Sequence, residues 1–126
     1  MQTIEIMEKT FDSESNDIAL YFAMSKKAQD EGQSEIAEYL FDIAMDEAQH
    51  AAQFATLLGK IKDTKTNLVR MLAGEIQAEK DKAHAAKIAF AEGNDDAFKF
   101  FEKSMKDETK HKEGIEKILS KLQEKD

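Results

Sequence analysis

The chain of 126 residues contains no cysteine and no proline, only five glycines, and 8% aromatic residues. Without cysteine it can form no disulfide, zinc ribbon, iron–sulfur cluster or rubredoxin-type iron site, and it has no thiol nucleophile. Any metal must therefore be held by carboxylate or imidazole. The scarcity of helix breakers and the abundance of Ala, Glu, Lys, Leu and Met favour helix over sheet, so an all-α fold is expected. No stretch approaches the roughly 20 apolar residues of a membrane span. Met1 to Lys9 lacks the basic start and apolar run of a signal peptide, and the expected location is the cytoplasm. A net charge of -8 and a pI near 4.9 argue against a nucleic-acid backbone or an anionic membrane as partner, since both need a basic surface. With 41% apolar residues the chain can bury a core, and a single domain over residues 1–126 is expected.

Breaks must then come from glycine and polar clusters. Three stand out: Asp30-Glu31-Gly32-Gln33-Ser34, Gly59 to Asn67, and Glu92-Gly93-Asn94-Asp95-Asp96. They predict four helices at roughly 3–31, 33–59, 64–92 and 94–122. Gly32 and Gly93 are expected just past helix ends, with Ser34, and one of Asn94, Asp95 or Asp96, as caps of the following helices.

Steps of three and four trace a core stripe in each helix. In the first it runs Ile4, Met7, Phe11, Glu14, Ile18, Tyr21, Ser25, Ala28. The second gives Ile36, Leu40, Ile43, Glu47, His50, Phe54, Leu57, Ile61, and the fourth Ala97, Phe101, Ser104, Glu108, His111, Ile115, Ile118, Leu122. The third is noisier, with Leu68, Leu72, Glu75, Glu79, Lys82, Ala86 and Ala89. Each stripe carries ionisable groups at its middle. Met7, Met24, Met45, Met71 and Met105 read as core filler, His84 as a helix-surface residue, and the stretch from Lys103 to Lys125 as a solvated face.

A shift of 61 residues superimposes Glu14 on Glu75, Glu31-Gly32 on Glu92-Gly93, Asp46-Glu47 on Asp107-Glu108, and His50 on His111. The chain is two helical hairpins of one design, about 3–59 and 64–122. Each has a lone Glu on its first helix and a Glu-x-x-His on its second. Identity between the halves is otherwise low. The shared carboxylates and histidines therefore stand out.

Four carboxylates brought to one level of a helical bundle would repel unless a cation sat between them. Residues i and i+3 share a helix face, so Glu47 with His50, and Glu108 with His111, can each present an oxygen and a nitrogen to one ion. With Glu14 and Glu75 they make two single Glu and two Glu-x-x-His pairs, the ligand set of di-iron and di-manganese carboxylate bundles. Oxygen and imidazole ligation without sulfur suits iron or manganese, and zinc would also bind. Tyr21, two turns beyond Glu14, is either a core tyrosine or a hydrogen-bond donor near the metals. Glu79, one turn after Glu75, is either an extra ligand or an exposed helix glutamate.

The residues Glu14-Ser15, Asp30-Glu31-Gly32 through Ile36-Ala37, Glu47-Ala48-Gln49-His50-Ala51, Gly74-Glu75 and Glu108-x-x-His111 together resemble the ferritin-like di-iron domain of rubrerythrins. The resemblance covers nearly the whole chain. It implies a ferritin-like four-helix bundle whose non-haem di-iron centre reduces hydrogen peroxide to water, with ferroxidase activity towards dioxygen as a companion reaction. It also implies Glu14, Glu47, His50, Glu75, Glu108 and His111 as ligands of two Fe ions. Rubrerythrins usually append a cysteine-ligated rubredoxin domain. This chain has no cysteine, so the resemblance implies an external electron donor such as a rubredoxin-like protein. The family's further glutamate, three residues beyond the third-helix ligand, is Ala78 here, with Glu79 beside it.

Family members place the third helix parallel to the second. A helix of about 28 residues is about 42 Å long, whereas Gly59 to Thr64 spans only about 20 Å when extended. A domain-swapped homodimer is therefore expected, with helices 1–2 of one chain meeting helices 3–4 of the other. Two other classes use the same sequence differently: an iron-storage protein without peroxidase turnover, and a metal-free structural bundle.

Overall fold

The structure, a computed structural model, describes residues 2–125, with the side chain of Lys125 undescribed. Met1 and Asp126, the ends of the expected domain, lie outside the described residues, as does the Lys125 side chain that closes the lysine-rich stretch. The fold is all-α: α1 (Gln2–Asp30), α2 (Ser34–Leu57), α3 (Thr64–Ala91) and α4 (Asp95–Lys125), with no strand among the described residues. The described residues form two compact units that divide between Ile61 and Lys62. In the first α1 packs along α2, and in the second α3 packs along α4.

The bends of the two hairpins are built alike. Gly32 and Gly93 adopt φ of 76° and 73°, a left-handed backbone that a side chain would strain. Gly32 N–H donates to Gln29 O at 3.0 Å and Gln33 N–H to Ala28 O at 2.8 Å. Gly93 N–H to Phe90 O at 3.1 Å and Asn94 N–H to Ala89 O at 2.9 Å repeat the pattern. Asn94 caps α4, its Oδ1 accepting from Ala97 N–H at 3.1 Å, as one of the three expected residues. Ser34 does not cap α2. It is the first helical residue, and the cap position belongs to Gln33, whose side chain makes no capping bond.

Alanines carry the seams. Ala28, Ala37, Ala44 and Ala51 are buried in the first hairpin, the last three spaced by seven so that α1 can approach α2 closely along its length. Ser25 Oγ ties the helices, donating to Ala37 O at 2.7 Å, and Phe22 meets Phe41 edge-on at 5.5 Å. Ala86 and Ala89 are buried in the second hairpin, where Phe90 and Phe98 lie 5.4 Å apart.

Two expectations about the core need correction. Ile4, Ile36, Leu57 and Ile118 lie on the predicted stripes yet are about half exposed, because a pair of helices buries only the narrow strip between them, and Ile61 is exposed because it lies past the end of α2. Met24, Met45 and Met71 are also exposed rather than core filler. Met24 and Met71 each sit one position from a stripe residue, which rotates them by about 100° around the helix, and Met45 lies two positions from both Ile43 and Glu47, on the far side of α2. Met7 and Met105 are half-buried, and His84 is exposed as expected. No helix of the described residues is long and apolar enough to cross a membrane.

Candidate metal centre

Glu14 stands at the middle of α1, and Glu47 and His50 face it from α2, three residues apart on one side of that helix. His50 Nδ1 lies 3.5 Å from Glu14 Oε1 and 4.0 Å from Glu47 Oε1. The second hairpin repeats the group. His111 Nδ1 lies 3.4 Å from Glu75 Oε2 and 3.3 Å from Glu108 Oε1. In each trio, one oxygen of either Glu and one imidazole nitrogen all lie within 4.8 Å of one another. The carboxylates are turned inward while the imidazoles are 57% exposed at the lip. An open depression of about 340 Å³ lies beside the first trio, lined by Glu14, His50, Gln53 and Phe54.

The trios fit a cation. Glu14 Oε2 and Glu75 Oε2 are buried without a hydrogen-bond partner, and a buried carboxylate oxygen left unpaired is unfavourable. Two carboxylates and an imidazole, without sulfur, suit a divalent ion of the iron, manganese or zinc kind. The two groups lie at matching places in the repeat, so the six residues singled out in the sequence fall into one set of three per hairpin.

The surroundings of the trios differ. In the second hairpin Lys82 Nζ donates to Ser104 Oγ at 2.5 Å and to Glu108 Oε2 at 3.0 Å. Glu79 accepts from the Thr109 hydroxyl through Oε2 and from Lys112 Nζ through Oε1, the latter at 3.0 Å. The Thr109 hydroxyl, and then Lys112, hold the Glu79 carboxyl below its usual range. The hydrogen bond that Lys112 donates to Glu79 raises the Lys112 ammonium above its usual range. Shifted back by 61 residues, the five positions 79, 82, 104, 109 and 112 are Ile18, Tyr21, Ile43, Ala48 and Ala51. At these positions the first hairpin carries apolar side chains and one tyrosine, where the second carries a polar network.

Glu79 is thus not brought into a metal-binding group among the described residues; both its oxygens are engaged elsewhere. Tyr21 is half-buried on the face of α1 that carries Glu14. The roles of Lys82, Ser104, Thr109 and Lys112 were not read from the sequence. Comparing the two halves at the positions flanking the shared ligands would have marked them, because there the repeat exchanges apolar for polar residues.

The sequence model of the family described as Rubrerythrin matches residues 5–119. The chain is 43% identical over 116 residues to an uncharacterized protein of Methanocaldococcus jannaschii, covering 91% of this chain and 82% of that one. It is 33% identical over 122 residues to reverse rubrerythrin-1 of Clostridium acetobutylicum, covering 95% of this chain and 67% of the relative.

Proposed function

The chain belongs to the rubrerythrin family of ferritin-like di-iron proteins, and we propose that it reduces hydrogen peroxide in the cytoplasm with electrons from a separate donor protein. The observation that carries this reading is the matched pair of trios, Glu14, Glu47 and His50 with Glu75, Glu108 and His111, each with a buried carboxylate oxygen that accepts no hydrogen bond. These six residues would hold two ferrous ions, which would supply the two electrons that, with two protons, convert one hydrogen peroxide to two waters. The same ligands serve ferroxidase chemistry with dioxygen.

The chain's own contribution is placement and charge balance. Four carboxylates offset the charge of two divalent ions, and each His turns Nδ1 towards both carboxylates of its trio. Tyr21 is the proposed hydrogen-bond donor beside the first trio. A separate reductant is proposed because these 126 residues hold no cysteine for a rubredoxin-type iron site.

The proposed assembly is a domain-swapped homodimer pairing α1 and α2 of one chain with α3 and α4 of another. Two features support it. Residues 58–63, the connection between α2 and α3, span about 20 Å when extended, against about 42 Å for the 28 residues of α3. Ile36, Leu57 and Ile118 also leave apolar surface exposed on the stripes that bear the histidines.

The test of function is rapid mixing of the anaerobically iron-loaded protein with hydrogen peroxide, following ferrous oxidation by absorbance. Wild type oxidises two irons per peroxide, and Glu47→Ala and His111→Ala lose the reaction. Unchanged rates in both variants would overturn the assignment.

A further inference from the structure

The two trios share their ligands but not their charge environment, and the difference centres on Lys82. Its ammonium is clamped between Ser104 Oγ at 2.5 Å and Glu108 Oε2 at 3.0 Å. It therefore occupies one oxygen of a candidate ligand while the other, Oε1, faces His111 Nδ1 at 3.3 Å. Ser104 and Glu108 lie one turn apart on α4, and Lys82 reaches across from α3, so three side chains fix the position of the charge. The other lysine of the network, Lys112, is matched by Glu79, which leaves Lys82 as the cation that bears directly on a ligand. In the first hairpin the corresponding positions are Tyr21 and Ile43, and neither carries a positive charge.

We propose that Lys82 is a positioning residue that makes the two metal positions unequal: it restricts Glu108 to one free oxygen and places a fixed positive charge beside the Glu75, Glu108 and His111 trio. This rests on the reading of the two trios as metal ligands. A divalent ion held by Glu108 Oε1 would face the ammonium across a single carboxylate, close enough for repulsion to weaken binding although Lys82 is 31% exposed. At the matching positions of the first hairpin, Tyr21 and Ile43 place no ammonium on Glu47. The ions then load in order, the first hairpin before the second, with affinities separated by at least about tenfold. Filling of the second position becomes the step that sets when the centre is complete.

The experiment is anaerobic calorimetric titration of the whole chain with ferrous ion alone, on wild type, Lys82→Met, Lys82→Gln and Lys82→Arg. Met and Gln are both good helix formers of similar length, so the helix is kept while the charge is lost. Wild type should bind one ion per chain in each of two phases separated by about tenfold or more. Lys82→Met and Lys82→Gln should tighten the second phase until the two lie within about threefold, and Lys82→Arg should retain the split. No iron binding by wild type would overturn the metal reading itself. Two equal sites in wild type, a split unchanged in the Met and Gln variants, or a weaker second phase in them, would overturn the role of Lys82 with the metal reading intact.

Discussion

Nδ1 of His111 lies 3.3 Å from Oε1 of Glu108, one turn before it on α4, and the pair is met from α3 by Glu75. A histidine and a carboxylate three residues apart on a helix surface commonly face water. Here they close on a third group that has a buried oxygen with no hydrogen-bond partner. The same closure around His50, Glu47 and Glu14 shows that the arrangement belongs to the hairpin design.

If Glu75 is kept for a cation, it is unfavourable to the metal-free fold. Glu75→Met, of similar length and without charge, should raise the stability of metal-free protein by about 1 kcal/mol. It should also remove the gain in melting temperature that ferrous ion gives the wild type. Thermal melts with and without metal check both effects. A metal-free variant less stable than wild type would contradict this account of Glu75.

Ala44 is fully buried at the centre of the α1 and α2 seam. Ala44→Leu would push the helices apart and should cost about 1–3 kcal/mol, seen as a lower denaturant midpoint at unchanged slope. An unchanged midpoint would show that the seam is not closely packed.

The bond between Glu79 and Lys112 sets a pH window. Glu79 is held below its ordinary value of 4.5, so its contribution to stability is complete above that value and is lost as pH falls through the lowered one. Lys112 is raised above 10.5, so its contribution is complete below that value and is lost only as pH rises through the raised one. The stability difference between wild type and Glu79→Gln, measured on metal-free protein, should be constant from about pH 5 to 9 and shrink in stronger acid. A difference that grows on acidification would contradict the pairing.

The helices, the glycine-ended bends and the two Glu-x-x-His pairs were legible in the sequence because each rests on short-range periodicity, and the 61-residue repeat singled out Glu14 and Glu75. Steps of three and four place Glu47 beside His50 whatever the tertiary packing. The seam was not legible. Ala37, Ala44 and Ala51 are small, and hydrophobic patterning gives weight to large residues such as Ile36 and Leu57, which stand more open. The contacts of Lys82 with Glu108 and of Glu79 with Lys112 join residues 26 and 33 positions apart, and only the packing of α3 on α4 selects those pairs.

The central claim is that the two trios hold two ions, and iron bound per chain after anaerobic loading with ferrous ion tests it most directly when particle mass is read on the same sample. The account predicts about two irons per chain in a particle of twice the 14.3 kDa chain mass. It predicts about one iron per chain when Glu47 and His50 are both replaced by alanine. Wild-type protein that binds no iron would contradict the claim, and tens of irons per chain in a large particle would replace it with storage.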